Sequence, residues 1–221
     1  MCGRIIATQP GEVLQHRFHA EFKGTHWSPT YNGAPSQQLP IILNTVPQEI
    51  VLSHWGIMPA WMKEKKGGRE LINARAEGLP SKRTFMRDFN EHRCLVLADG
   101  FYEWQQTDSG RIPFLIRRKD KEPFAFAGLW RFQDSEHTRA TSFVIITVEP
   151  NTMMEKIHNR MPAMLLPEKE TPWLDTSLPL DAVERLLIPY PVELLTAFEV
   201  SKMVNSPANN SPAVIEPVPT Y

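Results

Sequence analysis

The sequence predicts an α+β fold whose core is a mostly antiparallel, barrel-like β-sheet flanked by a few short helices. The middle of the chain is dense in apolar runs of strand length, and turn residues such as TDSG separate some of them. Helix-like segments do not alternate regularly with these runs, which disfavours a doubly wound parallel sheet. No internal repeat or linker composition divides the chain, so we expect residues 1–221 to form a single domain.

The composition is that of an ordinary globular protein. The 221 residues are 42% hydrophobic and 22% charged, and a chain of this length can bury a substantial core without disulfides. The formal net charge of −1 gives no bulk sign of nucleic-acid binding, so such binding would need a local basic patch. Neither a membrane-span pattern nor a signal-peptide pattern is present. We therefore expect a cytoplasmic protein with no membrane partner.

The first third of the chain predicts a strand, a helix and a hairpin. CGRIIA predicts a strand at the very start. Thr8 is expected to cap a helix that has Pro10 in its first turn. Leu14, Phe18 and Phe22 recur at a spacing of four, so they would share one face of that helix. LPIIL and EIVLSHWG flank the turn NTVPQ, which predicts a hairpin.

The remaining elements are predicted from longer segments. IMPAWMKEKKGGRELINARAEG is long, basic and contains glycines, which favours a functional loop. SKRTFMRDFNEHR is expected to be helical. CLVLADGFYEWQQ, IPFLIRR, FAFAGLWRF and TSFVIITVEP predict strands. NTMMEKIH predicts one or two helical turns, LDAVERLL a late helix, and SPANNSPAVIEPVPTY a loop with one strand at most.

Cys2 is the most distinctive candidate for chemistry. If Met1 is removed, Cys2 carries a thiol and an α-amine on adjacent carbons. An α-amine has a pKa of about 7.7–8.0, so a useful fraction is neutral and nucleophilic near pH 7. Gly3 lets the backbone bend tightly, and Arg4 is a nearby cation of the kind that lowers a thiol pKa. A reducing cytoplasm would keep this thiol reduced; the other cysteine, Cys94, lies in the apolar run CLVLA and is expected to be an inert core thiol.

An N-terminal cysteine can react with a carbonyl group in a way that an internal cysteine cannot. The amine attacks an aldehyde to give a Schiff base, and the thiol then closes onto the imine carbon to form a five-membered thiazolidine. A thiol also attacks amide carbonyls, so a peptidase or amidase activity remains open at this point.

Three further stretches carry candidate site residues. LINARAE places Asn73, Arg75 and Glu77 at alternate positions, which would face one side of an extended segment. ADGFYEW puts Glu103 between aromatic residues, where a carboxyl can exchange protons near neutrality. IHNRMPAMLL puts His158 beside Arg160 just before a strand, an arrangement that suits anion binding with proton transfer. Each stretch taken alone also fits an ordinary polar loop or strand.

Taken together, these motifs resemble the SRAP family, named for SOS response-associated peptidases. The matching motifs are MCGR, YNGAPSQ, WGIMPAWMKE, INARAEG, RCLVLADGFYEW and IHNRMPAML, which occur in this order from residue 1 to about residue 166. The tail VSKMVNSPANNSP resembles the family's C-terminal segment. The resemblance therefore spans nearly the whole chain.

The resemblance implies a sensor that recognises abasic sites in single-stranded DNA and crosslinks to them covalently, which shields the lesion in the DNA damage response. Cys2 would be the nucleophile that forms a thiazolidine with the deoxyribose aldehyde. Asn73 would hold the amino end or the sugar hydroxyls by amide hydrogen bonds. Glu103 would shuttle protons at the amine and imine, and His158 would be the general acid/base that opens the sugar ring.

The same resemblance implies a DNA-binding surface. We expect no cofactor or metal, because the seven histidines are scattered and lack ligand spacing with cysteines. Arginines would pair with backbone phosphates, KEKKGGR would line the rim, and Trp61 would stack on a base, worth about 1–3 kcal/mol. The implied DNA-contacting residues are Gly3, Arg4, Asn32, Pro35, Trp61, Arg75, Arg83, Thr147 and Arg160. We expect a monomer whose partners are abasic single-stranded DNA and replication or repair proteins, and which is nucleoid-associated when bound to DNA.

Two alternatives remain open from the sequence. One is a thiol peptidase in which His158 activates Cys2, with the chain's own Met1 as its clearest substrate. The other is a non-covalent reader of modified DNA bases.

Overall fold

A computed structural model describes residues 2–23, 26–63, 68–81, 83–133 and 140–219. Within these ranges the chain forms fourteen strands: β1 (Ile5–Ala7), β2 (Glu21–Phe22), β3 (Thr30–Gly33), β4 (Gln38–Leu43), β5 (Glu49–Trp55), β6 (Asn73–Arg75), β7 (Arg93–Ala98), β8 (Gly100–Thr107), β9 (Gly110–Arg118), β10 (Phe124–Phe132), β11 (Thr141–Val148), β12 (Met161–Pro162), β13 (Met164–Leu165) and β14 (Leu195–Glu199).

The helices are short. They are α1 (Gly11–Phe18), α2 (Ala60–Lys63), α3 (Met86–Glu91), α4 (Pro167–Leu174) and α5 (Leu180–Glu184), with 3₁₀ turns at Ala76–Gly78, Met154–Lys156, Val192–Leu194, Lys202–Asn205 and Pro212–Ile215. No helix within the described ranges is long and apolar enough to cross a membrane.

Five strands close into a barrel. β4 pairs antiparallel with β5 and β7, and β10 pairs antiparallel with β7 and β11. β11 then returns to β5 in a parallel pairing that closes the ring. Every residue of β7 and β11 is buried, as their near-continuous apolar runs predict. The predicted α+β fold with a mostly antiparallel, barrel-like core is confirmed.

A second, antiparallel sheet carries the N-terminus. Its strand order is β14–β9–β8–β1–β3, and β8 follows β7 after Asp99. Gly100 is required at this corner because a Cβ there would lie 2.8 Å from the carbonyl oxygen of Ile116. One face of this sheet packs on the C-terminal segment through Val204 and Val214.

Two very short strands extend one end of the barrel. β6 runs parallel to β11, with Asn73 opposite Ile145 and Arg75 opposite Thr147. β12 runs antiparallel to β11, with Met161 opposite Val148. The segments after β6, after β11 and before β12 therefore meet at the same end of the barrel.

Several local predictions are wrong for identifiable reasons. Thr8 does not cap α1; its hydroxyl donates to Asp99 Oδ2 at 2.6 Å, and Pro10 occupies the N-cap position without a side-chain bond. α1 ends at Phe18, so Phe22 lies in β2 instead of on the helix. Among the described residues of the predicted helical segment 81–93, only Met86–Glu91 are in an α-helix, as α3.

α4 was not predicted at all. It has Pro167 in its first turn and a second proline, Pro172, inside the helix. The helix is stabilised by packing, because Trp173 is fully buried against the barrel. Tertiary contacts of this kind override weak local propensity.

Candidate active site around the N-terminal cysteine

The N-terminal segment lies along β8 beside Glu103. Ile5 pairs with Phe101, and the Tyr102 N–H donates to the Arg4 carbonyl at 2.9 Å. Continuing this antiparallel register brings the residues before Arg4 alongside Glu103. Cys2 is buried with 1% of its surface exposed, and Glu103 with 2%. The cysteine and the carboxyl group thus share one water-poor environment.

Asn73 holds Cys2 from the barrel side. Its Nδ2 donates to the Cys2 carbonyl oxygen at 2.8 Å. Among the described residues, its Oδ1 is buried without a hydrogen-bond partner. A buried acceptor of this kind is costly to leave unpaired, so Asn73 retains an acceptor for a donor brought in by a substrate or by a processed amine.

The Cys2 thiol is held in its protonated form. Burial raises the pKa of this thiol, and the negative charge of Glu103 raises it further, while a backbone hydrogen bond with Arg4 acts in the opposite direction. The expectation that a nearby cation lowers the thiol pKa is therefore wrong for this arrangement. Burial and a neighbouring carboxylate outweigh any cationic effect.

Arg4 and Asn32 anchor the C-terminal segment. Arg4 Nη1 donates to Asn32 Oδ1 and to the Val204 carbonyl, each at 2.6 Å. Asn32 Nδ2 contacts the carbonyls of Val204, Ser206 and Asn209 at 2.8–3.2 Å, and only 1% of Asn32 is exposed. In this conformation Asn32 offers no surface to DNA, because all of its side-chain polar groups serve this anchor.

His158 and Arg160 sit just before β12, as the sequence predicts. The Arg160 N–H donates to His158 Nδ1 at 3.0 Å. Nδ1 also lies 3.2 Å from the Arg160 carbonyl, so the backbone of Arg160 holds this ring nitrogen and fixes the orientation of the ring. Gln105 of β8 donates to the Lys156 carbonyl at 2.7 Å, which ties the segment before His158 to the strand that carries Glu103.

The Arg160 guanidinium is already occupied. It bonds both oxygens of Glu77 at 2.7 and 3.1 Å, Glu149 at 3.1 Å and the Thr147 carbonyl at 2.5 Å. Glu77 does not share an extended face with Asn73 and Arg75 as predicted, because β6 ends at Arg75 and a 3₁₀ turn follows. This turn directs Glu77 to Arg160.

The other predicted DNA-contacting residues differ in exposure. Trp61 on α2 is 57% exposed, and Arg75 and Arg83 are exposed. Thr147 is fully buried, with its hydroxyl 3.5 Å from the Ala74 carbonyl. Gly3 and Pro35 are half-buried. Residues 64–67 of the basic stretch KEKKGGR, like Met1, lie outside the described residues.

Two grooves adjoin Asn73 and Arg160. One, of about 210 Å³, has an apolar wall that includes Leu79 and Phe85 and a polar rim of Asn73 and Arg75. The other, of about 520 Å³, is lined by Arg75, Gly78, Ser81, Asn159, Glu77, Glu149 and Arg160. A larger cavity of about 600 Å³, between α1 and α4, contains none of the predicted site residues.

Glu149 and Gln105 also contact this site and were not predicted from the sequence. Glu149 directly follows an apolar strand, a position where polar residues often serve a site, and this was the available signal. Gln105 carried no such signal, because its partner Lys156 lies in a 3₁₀ turn 51 positions away. Within the described ranges, no three His, Cys, Asp or Glu side chains gather as a metal-ligand set.

Comparisons with solved structures match the fold. A protein from Bacteroides thetaiotaomicron superposes with a TM-score of 0.86 at 24% identity, covering 98% of this chain and 100% of that chain. A phage-related protein from Bordetella bronchiseptica gives a TM-score of 0.73 at 26% identity, covering 91% of this chain and 95% of that chain.

Comparisons with known sequences extend over nearly the whole chain. The abasic site processing protein YoqW of Bacillus subtilis is 38% identical over 222 residues, covering 98% of this chain and 99% of that protein. The abasic site processing protein HMCES of Xenopus tropicalis is 28% identical, covering 96% of this chain and 77% of that protein. The family model for SOS response associated peptidase (SRAP) matches residues 1–207. On this evidence, the chain belongs to the SRAP family.

Proposed function

We propose that this chain senses abasic sites in single-stranded DNA and, after removal of Met1, links itself to them through Cys2. The relatives named above are abasic site processing proteins, and that activity is carried here to this chain. The single observation that carries the covalent proposal is the placement of Cys2. Its carbonyl accepts a hydrogen bond from Asn73, and the charge of Glu103 raises the pKa of its thiol.

The reaction proceeds in two balanced steps. The Cys2 amine attacks C1′ of the ring-opened deoxyribose, and loss of one water gives an imine. The thiol sulfur then adds to the imine carbon, and the thiol proton ends on the ring nitrogen. The product is a thiazolidine whose mass is that of protein plus DNA minus one water.

The buried thiol makes the amine the first nucleophile. In the chain that retains Met1, burial and the charge of Glu103 raise the thiol pKa, which disfavours the thiolate that would otherwise attack first. Glu103 is the nearby base that receives the thiol proton during ring closure and passes it towards the imine nitrogen. Asn73 keeps the Cys2 backbone fixed while both bonds form at the same carbon.

His158 opens the sugar ring. Because the Arg160 backbone holds Nδ1, Nε2 is the ring nitrogen that would transfer a proton to the ring oxygen of the closed sugar. As the bond between this oxygen and C1′ breaks, the C1′ hydroxyl loses its proton to solvent and becomes the aldehyde. Arg75, Arg83 and Trp61 are the exposed residues that support contacts with the DNA strand. The single-domain organisation, the monomeric state and the cytoplasmic location stay predictions from the sequence.

The test is a denaturing gel after incubation with a single-stranded oligonucleotide that carries one abasic site. We expect a retained protein–DNA band, and none with the matching oligonucleotide without the lesion. Protein that retains Met1, verified by mass spectrometry, should give no band because the amine is blocked. A band of equal intensity with intact DNA would contradict the proposal.

The two alternatives make different predictions. A thiol peptidase would cleave peptides at a rate unaffected by DNA; it finds less support here, because the Cys2 thiol is buried and protonated. A non-covalent reader would bind DNA under native conditions, and the Cys2→Ala variant would keep this binding. It would leave no protein–DNA band on the denaturing gel.

A further inference from the structure

We propose that Glu77 and Glu149 form a carboxylate latch on Arg160, which competes with DNA phosphate and keeps the chain from binding undamaged single strands. The proposal rests on the proposed DNA function and goes beyond it, because it assigns a specificity-determining role to two acidic residues. The latch is defined here as Arg160 with Glu77 and Glu149.

The sheet register builds the latch. Arg75 pairs with Thr147 in parallel, so Glu77 and Glu149, each two residues further along, leave the same end of the sheet. Met161 pairs with Val148 in antiparallel orientation, which brings the preceding Arg160 opposite Glu149. All three side chains meet without a long loop.

The exposures show which groups face solvent. The Arg160 side chain is 9% exposed, whereas those of Glu77 and Glu149 are 52% and 74% exposed. The carboxylates therefore cover the guanidinium on its solvent side. Glu77 takes both Nη atoms in a bidentate pair, which is also the geometry in which arginine binds phosphate.

The groove of about 520 Å³ that contains the latch is lined by equal numbers of positive and negative side chains. Arg75 and Arg160 are offset by Glu77 and Glu149 among its lining residues. Burial raises the pKa of Glu77, but hydrogen bonding to Arg160 and the charges of Arg160 and Arg75 outweigh it, so this pKa lies below its ordinary value and Glu77 is ionised at neutral pH. A phosphate can reach Arg160 only by displacing one of the two carboxylates. A DNA strand that is already held by other contacts at a lesion is the one that can displace it.

Glu149→Gln tests the latch with little risk to folding. Glu149 makes one of the contacts and is mostly exposed, and Arg160 remains paired with Glu77 in the variant. Glu168→Gln is the matched control because it removes the same charge at an exposed residue of α4 outside the groove. Thermal unfolding of both variants verifies that they are folded.

The readout is fluorescence anisotropy with a labelled, lesion-free single strand across a salt series. We expect Glu149→Gln to bind about three- to tenfold more tightly than wild type, with a salt slope steeper by about 0.7 for one further phosphate contact. Glu168→Gln should behave like wild type. Equal or weaker binding by Glu149→Gln, or no measurable binding by any of the three proteins, would overturn the latch, whereas the crosslinking gel judges the proposed function separately.

Discussion

The two cysteines of the chain are both buried, but they differ in the groups that surround them. Cys2 is 1% exposed and Cys94 is 0% exposed, and burial raises the thiol pKa of both. Each also has a carbonyl that accepts a side-chain N–H: Cys2 from Asn73 at 2.8 Å and Cys94 from Trp173 at 2.9 Å.

The difference lies in the neighbouring groups. A Cβ on Gly128 would lie 2.8 Å from Cys94 Sγ, so this thiol fills tightly packed space within the barrel wall. Cys2 instead adjoins the charge of Glu103 and can acquire an α-amine. Burial of a thiol therefore says little about its function, which depends on the nearby proton acceptor and the neighbouring amine.

The largest expected effect comes from replacing each cysteine in turn by alanine. Cys2→Ala should abolish the durable crosslink, because the imine cannot close to a thiazolidine. Cys94→Ala should crosslink at the wild-type rate but lose about 1–2 kcal/mol of unfolding free energy through lost packing. The measurements are the denaturing gel and urea denaturation. A stable adduct in Cys2→Ala would break the comparison.

The next largest effect is expected at Glu103. Glu103→Gln should slow crosslinking about a hundredfold or more, because proton transfer at the imine is lost. It should also lower the pKa of the Cys2 thiol, since the carboxylate that helps to raise it is removed. The rate of alkylation at a fixed alkaline pH in a Cys94→Ala background reports this shift, because a lower pKa gives more thiolate. An unchanged crosslinking rate together with an unchanged alkylation rate would remove Glu103 from the site.

A smaller effect is expected from Asn73→Ala. Loss of the bond to the Cys2 carbonyl should slow crosslinking about tenfold and cost about 1 kcal/mol of stability. Asn44→Ala is the control for a loss of stability away from the site, because Asn44 also donates to a backbone carbonyl, that of Glu91 at 2.9 Å. Asn44 Oδ1 accepts in addition from Trp130 Nε1 at 2.9 Å, so this variant should lose at least as much stability as Asn73→Ala. If both variants lose stability and crosslink equally well, Asn73 is merely structural.

The smallest effect on crosslinking is expected at Cys94, whose titration should change only the stability of the fold at alkaline pH. Its pKa is raised in the folded state, so the contribution to stability is complete below the unfolded pKa of about 9.0 and falls as pH rises above it. The fall is about 1.4 kcal/mol per pH unit for one thiol. Urea denaturation between about pH 8 and 10.5 should show a shallower decline for Cys94→Ala than for wild type; identical slopes would contradict this account.

The sequence predicted long elements better than short ones. The apolar runs of β7, β10 and β11 predict strands because they are buried over most of their length. The three-residue β6 was placed within a loop, since its parallel pairing with β11 depends on residues about 70 positions away. The Thr8 cap failed for a similar reason: Asp99, distant in sequence, competes for the hydroxyl.

Within the site, residue types were predictable but partners were not. Cys2 and Asn73, two of the predicted catalytic residues, are joined by a hydrogen bond, and Glu103 acts on the Cys2 thiol through its charge. The partners of Arg4, Asn32 and Arg160 were not predictable, because hydrogen bonding to Val204 and ion pairing to Glu149 follow from chain packing. Cationic residues in a motif suggest phosphate contacts, but the fold decides how many of those cations are already paired.

The most direct test of the central claim is mass spectrometry of the crosslinked product after trypsin and nuclease digestion. The account predicts that the adduct lies on the peptide Cys2–Arg4, which lacks Met1, and that its mass equals peptide plus abasic nucleotide minus one water. An adduct on a lysine, or on a peptide that still carries Met1, would contradict it.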